Sequence, residues 1–503
     1  MLAKTTKSKV KYGMKRLNNI AKWIQKNKLA VFIILCAIFL RLWRVGEFAM
    51  FLADQGRDAI IIKRIVTLQH LPLIGPPSSI GQVYLGPFFY YLMAPFLLLF
   101  AFNPAGLAYG VSFISIVGLV LGYFIIRKIL DKKIALIFLI LTSFSSQLLW
   151  LARFSWNPNL LPIFSFFTLY FFYKSLKTEK YYYSIAYGAF FALSFQLHHL
   201  AAFLAVPIGI VTAIFLFREN KKTKQLLSVL IAFIAFLCVT SPLILFDLKH
   251  DFLNTKNLVS LFTKQDMIAG GSPAERLIQT NHAFWMVILQ IKLPAFASIV
   301  ASILFVGGFL FLFIKGKVHL LALIHMINLV SFIYFFSLLS NPRHPHYYGS
   351  IYLSFFVVCA LLLGFIPKKI YSTIALSILL AVYLVFNMKD YYFITGPANN
   401  QILHAQRVSS TLLPYIDRKP FNFATYPIEF TSEEAYLYFL EKQGLKAANR
   451  EAREVTQQMY VLCNQEPCNV LDSHSWNIDM FGEAKIDTMW EIEGIKVYRL
   501  IHK

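Results

Sequence analysis

The sequence has little charge and few acids. Only 15% of its 503 residues are charged, and Asp and Glu together number 25 against 48 Lys and Arg. Soluble domains carry about 25% charged residues, so so sparse a polar surface argues against water as the main solvent. Five cysteines are too few for a disulfide framework. Cys36, Cys238 and Cys359 lie in apolar runs, whereas Cys463 and Cys468 share a polar tail where a disulfide is an open alternative. No Walker loop, dinucleotide fingerprint, GxSxG or HExxH string is present, so familiar nucleotide, hydrolase and zinc-protease sites are excluded as sources of chemistry. Internal repeats and low-complexity tracts are also missing.

What is abundant is apolar surface. Hydrophobic residues make up 57% of the chain, Phe alone contributing 49, and membrane-length apolar runs recur from Leu29 to Met388. The net charge of +23 raises the question of nucleic acid. Its distribution answers no: the basic residues cluster in short segments between apolar runs, without aromatic partners for bases. Residues 1–28 hold nine basic residues and no acid, and read as a cytoplasmic tail beside anionic lipid rather than a cleaved signal.

The basic clusters at Arg127–Lys133, Lys174–Lys180, Arg218–Lys224, Lys315–Lys317 and Lys368–Lys369 are all expected inside. An even number of crossings must then separate them. Between residues 29 and 126 three apolar segments break this parity. The middle one, 84–102, contains Gly86, Pro87 and Pro95 and follows Gly75-Pro76-Pro77-Ser78-Ser79. It is read as a re-entrant or interfacial part of a large first outer loop, 47–105. The expectation is a polytopic all-α membrane protein of about eleven spans over residues 29–390, in the plasma membrane, with its N-terminus inside. Residues 391–503 are expected to form a small extracytoplasmic α/β domain. Its strands would lie near Phe421–Tyr426 and Met459–Cys463, its helix would start at Thr431-Ser432-Glu433-Glu434, and a terminal hairpin would turn at Glu493-Gly494.

This topology puts nearly every chemically capable residue on one side. Asp54 and Asp58 follow the first span at helical spacing, suited to a general base or to holding a divalent cation; Asp54 could equally serve only as a helix cap. Arg41, Arg57, Lys63, Arg64 and Arg153 together suggest an anionic ligand such as a lipid phosphate. Asn157, His198, His199, Arg343, His344 and His346 are further candidates for contact with substrate or lipid phosphate, although the histidine spacings fit no recognised zinc pattern. Asp247 and Asp251 could cap, coordinate or simply turn the chain.

Four stretches carry a family resemblance: Arg41-Leu42-Trp43-Arg44, Ala53-Asp54-Gln55-Gly56-Arg57-Asp58, Gly86-Pro87-Phe88-Phe89-Tyr90-Tyr91-Leu92 and Arg153–Pro158. In order and sidedness the chain resembles the GT-C glycosyltransferases, and within them the protein O-mannosyltransferase and lipid A aminoarabinose transferase group. The resemblance implies a sugar donor on a polyprenyl phosphate, a hydroxyl acceptor in the cell envelope, and Asp54 as the base or acceptor-orienting residue. Two departures matter. The family often has Asp-Glu where this chain has Asp54-Gln55, and its second-loop carboxylate falls here at Asn157, which cannot be a base. The rival reading, a transporter or flippase for an anionic lipid-linked substrate, would favour ionisable groups near span centres and inverted repeats, and the sequence has neither.

Overall fold

The computed structural model describes residues 22–78, 83–178, 180–218, 222–263, 271–340, 342–367, 369–427, 432–450 and 452–503. Most of the basic tail (1–21), Ser79, Asn341, Lys368 and the expected helix-start residue Thr431 lie outside them.

Long apolar helices dominate. The chain runs through α1 (Lys28–Leu42), the polar α2 (Ala53–Val66), α3 (Phe88–Leu99), α4 (Ala105–Ile129), α5 (Lys132–Phe144), α6 (Leu161–Lys177), α7 (Tyr182–Leu197), α8 (Ala205–Arg218) and α9 (Lys222–Val239). It continues through α10 (Pro273–Leu289), α11 (Ala295–Ile314), α12 (Leu320–Ser337), α13 (Gly349–Gly364) and α14 (Ile370–Met388). Seven helical stretches among the described residues are long and apolar enough to cross a membrane, the longest being Ala105–Ile129. α1, α5, α6 and α7 are apolar too but have 15, 13, 17 and 16 residues. α3, with 12 residues, is about 18 Å long against a hydrocarbon core of about 30 Å. That length falls short of a full crossing, and Pro95 lies inside it.

α5 is short because the helix breaks at Ser145 and resumes at Ser146–Leu151. The break frees a main-chain amide in apolar surroundings, which Asn387 near the end of α14 satisfies: its Oδ1 accepts Ser146 N–H at 2.7 Å and the Ser146 hydroxyl at 3.0 Å. Two buried arginines serve helix ends in the same region. Arg41 of α1 donates to the carbonyls of Thr142 and Ser143 at the end of α5, at 3.1 and 3.2 Å. Arg153 returns the contact, donating to Leu40 and Trp43 at the end of α1, with its guanidinium 3.6 Å from the Phe393 ring centre. Each thus satisfies carbonyls that have no partner within their own helix. Both guanidinium groups, read from the sequence as candidates for a phosphate, are turned toward main-chain oxygens.

Beyond α14 lie α15 (Gln401–Leu412), β1 (Asn422–Tyr426), α16 (Glu433–Lys442), β2 (Gln458–Cys463), β3 (Ala484–Ile492) and β4 (Ile495–His502). The sheet order is β1-β2-β4-β3, with β1 parallel to β2 across α16 and the other pairs antiparallel. Glu493 and Gly494, both at positive φ, turn the β3–β4 hairpin. A disulfide joins Cys463 to Cys468.

This domain is seated on α2. A Cβ at Gly56 would lie 2.5 Å from the main-chain carbon of Glu434 and 2.6 Å from Ala435 N, so α16 can pack there only against a bare backbone. Further along, Glu441 accepts from Lys63 at 3.0 Å and from Arg64 at 2.7 Å. Lys63 and Arg64, read from the sequence as phosphate candidates, here hold the sheet domain through Glu441. Gly56→Ala is expected to lower stability by about 1–3 kcal/mol through overpacking. Thermal unfolding of purified protein in detergent checks this, and an unchanged midpoint would contradict the seating.

Candidate functional site

α2 starts just after the first apolar helix, and its opening turns carry the site. Leu52 N–H donates to Gln55 Oε1 at 3.2 Å, closing the first turn. Asp54, Arg57 and Asp58 then fall on one face. Arg57 lies between the two carboxylates: Nη1 donates to Asp54 at 2.8 Å, while Nη2 and Nε both donate to Asp58 Oδ1, at 2.8 and 3.1 Å. Three of its five N–H donors are thereby used, and the Tyr90 hydroxyl lies beside the same guanidinium.

The carboxylates differ in access. The Asp54 side chain is 44% exposed, whereas that of Asp58 is wholly buried at 0%. Burial pushes the Asp58 carboxyl up to about 6, although Arg57 pulls the other way. The buried Tyr90 of α3 sits beside both Asp58 and Arg57. Asp58 thus anchors Arg57 from below, and only Asp54 can meet a substrate.

Asp54 is fixed from its other side by Trp156, whose indole N–H donates to Oδ2 at 3.0 Å. The Trp156 ring lies 4.5 Å from that of His346, which in turn lies 5.8 Å from His198. Asn157, next along the chain, donates from Nδ2 to the Leu197 carbonyl at 2.8 Å and so closes the end of α7 immediately before His198. A carboxylate at 157 could only repel that carbonyl, which accounts for the amide there.

His198 has a defined tautomer. Its Nδ1 accepts the Leu200 N–H at 3.2 Å, so the neutral ring carries its proton on Nε2. Burial, reinforced by His346 and His199, holds this imidazole well below its ordinary pKa. It is a neutral donor at physiological pH.

These groups share a cavity of about 410 Å³. Asp54, Arg57, Trp156 and Asn157 line one side, His198, His199, His346 and Tyr347 another, and Pro76, Pro77, Ser78 and Leu85 a third. Phe195, Phe203, Leu258 and Leu339 add apolar wall. His344 stacks behind His346 with ring centres 5.7 Å apart. Arg343 does not line the cavity: it donates to the Thr280 hydroxyl at 3.0 Å and the Leu339 carbonyl at 2.9 Å, and lies 4.4 Å over Phe336. A second cavity, of about 500 Å³, is lined by Arg153, Gln147, Gln290, Pro345 and Lys389. Among the described residues no three His, Cys, Asp or Glu side chains are grouped to hold a metal ion. Trp156 and Tyr90, inside the stretches that carry the family resemblance, were not singled out as site residues. Their signal is an aromatic with a polar tip next to charged residues.

A bundle of this form, with an acidic helix after its first apolar helix and a small terminal sheet domain, has the fold seen in solved structures of ArnT and AglB. Residues 85–245 match the dolichyl-phosphate-mannose-protein mannosyltransferase family, a stretch that begins after α2. The structure is similar to that of ArnT from Cupriavidus metallidurans in the apo state, with a TM-score of 0.62 at 11% identity over 96% of this chain and 98% of that one. The same protein bound to undecaprenyl phosphate gives 0.61 at 10% identity, over 95% and 98%. The oligosaccharyltransferase AglB from Archaeoglobus fulgidus, in complex with an inhibitory peptide and a dolichol-phosphate, gives 0.50 at 14%, over 88% of this chain and 70% of that one. No curated protein matches the sequence.

The raised Asp58 value has two consequences of defined sign. Between its ordinary 3.8 and about 6 the folded chain holds a proton that the unfolded chain has released. Asp58's contribution to stability is therefore greatest below that window and declines as pH rises through it. The Arg57 bridge needs the ionised form, so activity is expected to fall as pH drops through about 6. Asp58→Asn should stay at the low-pH level throughout; a variant profile that matches wild type would show that the ion pair is dispensable.

Proposed function

We propose that the chain transfers a sugar from a polyprenyl-phosphate-linked donor to a hydroxyl acceptor at the outer face of the plasma membrane. The observation that carries this is the half-exposed Asp54, held by Arg57 and Trp156 at the edge of a cavity that also presents the His198 Nε2 donor. The structural likeness to an ArnT bound to undecaprenyl phosphate and to AglB with a dolichol-phosphate supports the lipid carrier. In this reading Asp54 takes the proton of the acceptor hydroxyl as its oxygen attacks the anomeric carbon. The bond from that carbon to the phosphate oxygen breaks, and the polyprenyl phosphate leaves with the electron pair. Its growing negative charge meets the Arg57 guanidinium and His198 Nε2–H, which are fixed in place before reaction. Asp58, His199, His344 and His346 hold or line the site.

The orientation belongs to the same proposal: residues 1–28 inside, the bundle over 29–390, and the sheet domain over 391–503 outside. The Cys463–Cys468 disulfide suits an oxidising compartment. In this reading the seven long apolar helices and the four shorter ones, α1, α5, α6 and α7, would each cross once, making eleven crossings.

Two measurements test this. With labelled polyprenyl-phosphate sugars and purified protein, transfer is expected in wild type and a loss of at least about 100-fold in Asp54→Asn; full activity in the variant would remove Asp54 from the mechanism. A cysteine at Ser78 should react with an impermeant thiol reagent added outside intact cells, and reaction only after access to the cytoplasm would invert the topology.

A further inference from the structure

Asp247 and Asn254 do not line the catalytic cavity, yet both are buried. Asp247 ends the short helix Ser241–Lys249 and reaches forward to the next one, Leu253–Thr263. Its Oδ1 accepts Asn254 N–H at 2.7 Å, and its Oδ2 accepts the Thr255 N–H at 3.1 Å and hydroxyl at 2.6 Å. That carboxylate fixes where Asn254 stands. The Asn254 side chain then reaches a segment 170 residues earlier in the chain: Oδ1 accepts the Tyr84 N–H at 2.7 Å and Nδ2 donates to the Tyr84 carbonyl at 3.1 Å. A side-chain amide carries one acceptor and one donor side by side, so it can pair with both main-chain groups of one extended residue as a neighbouring strand would.

Tyr84 belongs to a narrow ladder. Gly75 N–H donates to the Leu85 carbonyl at 2.7 Å, Leu85 N–H to that of Pro76 at 2.9 Å, and Ser78 N–H to that of Val83 at 2.7 Å, with Pro77 bridged to Tyr84. Pro76, Pro77, Ser78 and Leu85 are the third side of the cavity. On its flank Gly86 lies against Gln196, where an added Cβ would come within 2.2 Å. Leu258, from the same helix as Asn254, lines the cavity directly. One segment thus supplies part of the wall and ties down the rest.

We infer that Asn254, oriented by Asp247, is a positioning residue of the transferase: it sets the wall of Pro76, Pro77, Ser78 and Leu85 against which the lipid-linked phosphate is bound. This rests on reading the cavity as the donor site. The test is binding of undecaprenyl phosphate to full-length protein in detergent, followed by tryptophan fluorescence, together with KM and kcat for the labelled donor and the unfolding midpoint. Asn254→Ala is expected to weaken binding by roughly tenfold, raising KM more than it lowers kcat and leaving the midpoint within a few degrees. Asp247→Asn, which keeps the shape and loses one acceptor, should shift binding in the same direction by about threefold, and carries the test if Asn254→Ala does not fold. Wild-type affinity in the variants would overturn this inference alone. No binding by wild type would overturn the reading of the cavity, and this inference with it.

Discussion

The site depends on one guanidinium held between two unequal carboxylates. A carboxylate with no exposed surface, such as Asp58, is costly to ionise, and Arg57 offsets that cost with two N–H bonds to one oxygen. The same guanidinium then has one orientation, which places its third bond on Asp54 at the edge of the cavity that Arg57 lines. Asp54 is constrained from both sides, by Arg57 and by Trp156, so its remaining lone pairs point where a substrate can use them. Such preorganisation is what electrostatic catalysis requires, because the polar groups need not rearrange as charge develops.

The rest of the molecule keeps α2 where this arrangement works. α16 packs on the bare backbone of Gly56, between Asp54 and Asp58 in sequence, and Glu441 holds the far end of α2 through Lys63 and Arg64. The terminal domain is therefore part of the site's support. Opposite, Asn157 closes α7 and sets His198, while Arg41 of α1 satisfies the end of α5 and Arg153, just past the Ser146–Leu151 helix, satisfies the end of α1. Irregular main chain at membrane depth is tolerable only when its polar groups find partners, and Asn387, Asn157, Arg41 and Arg153 supply such partners at these helix ends.

Much of this was legible in the residues. Charge parity set apart segment 84–102, alternation found β1, β2 and the β3–β4 hairpin, and the polar loops that meet at the cavity were already grouped by side. What the sequence could not show was partnership at a distance. Glu441 lies 377 residues from Arg64, and the carbonyls that engage Arg153 lie more than 100 residues away, so four cations looked like a phosphate site when none of them lines the cavity. Asp54 and Asp58 were equivalent by spacing and were separated only by burial. The break before Ser146 depends on Asn387, 241 residues on, and no local pattern announces it.

The most direct test of the account is a structure of the protein with undecaprenyl phosphate bound, by cryo-electron microscopy in lipid nanodiscs. The account predicts the phosphate in the cavity beside Asp54, within hydrogen-bond distance of Arg57 and of His198 Nε2, with Asp58 still bonded to Arg57. A phosphate seated instead in the second cavity, on Arg153 and Lys389, with the Asp54 cavity empty, would contradict it.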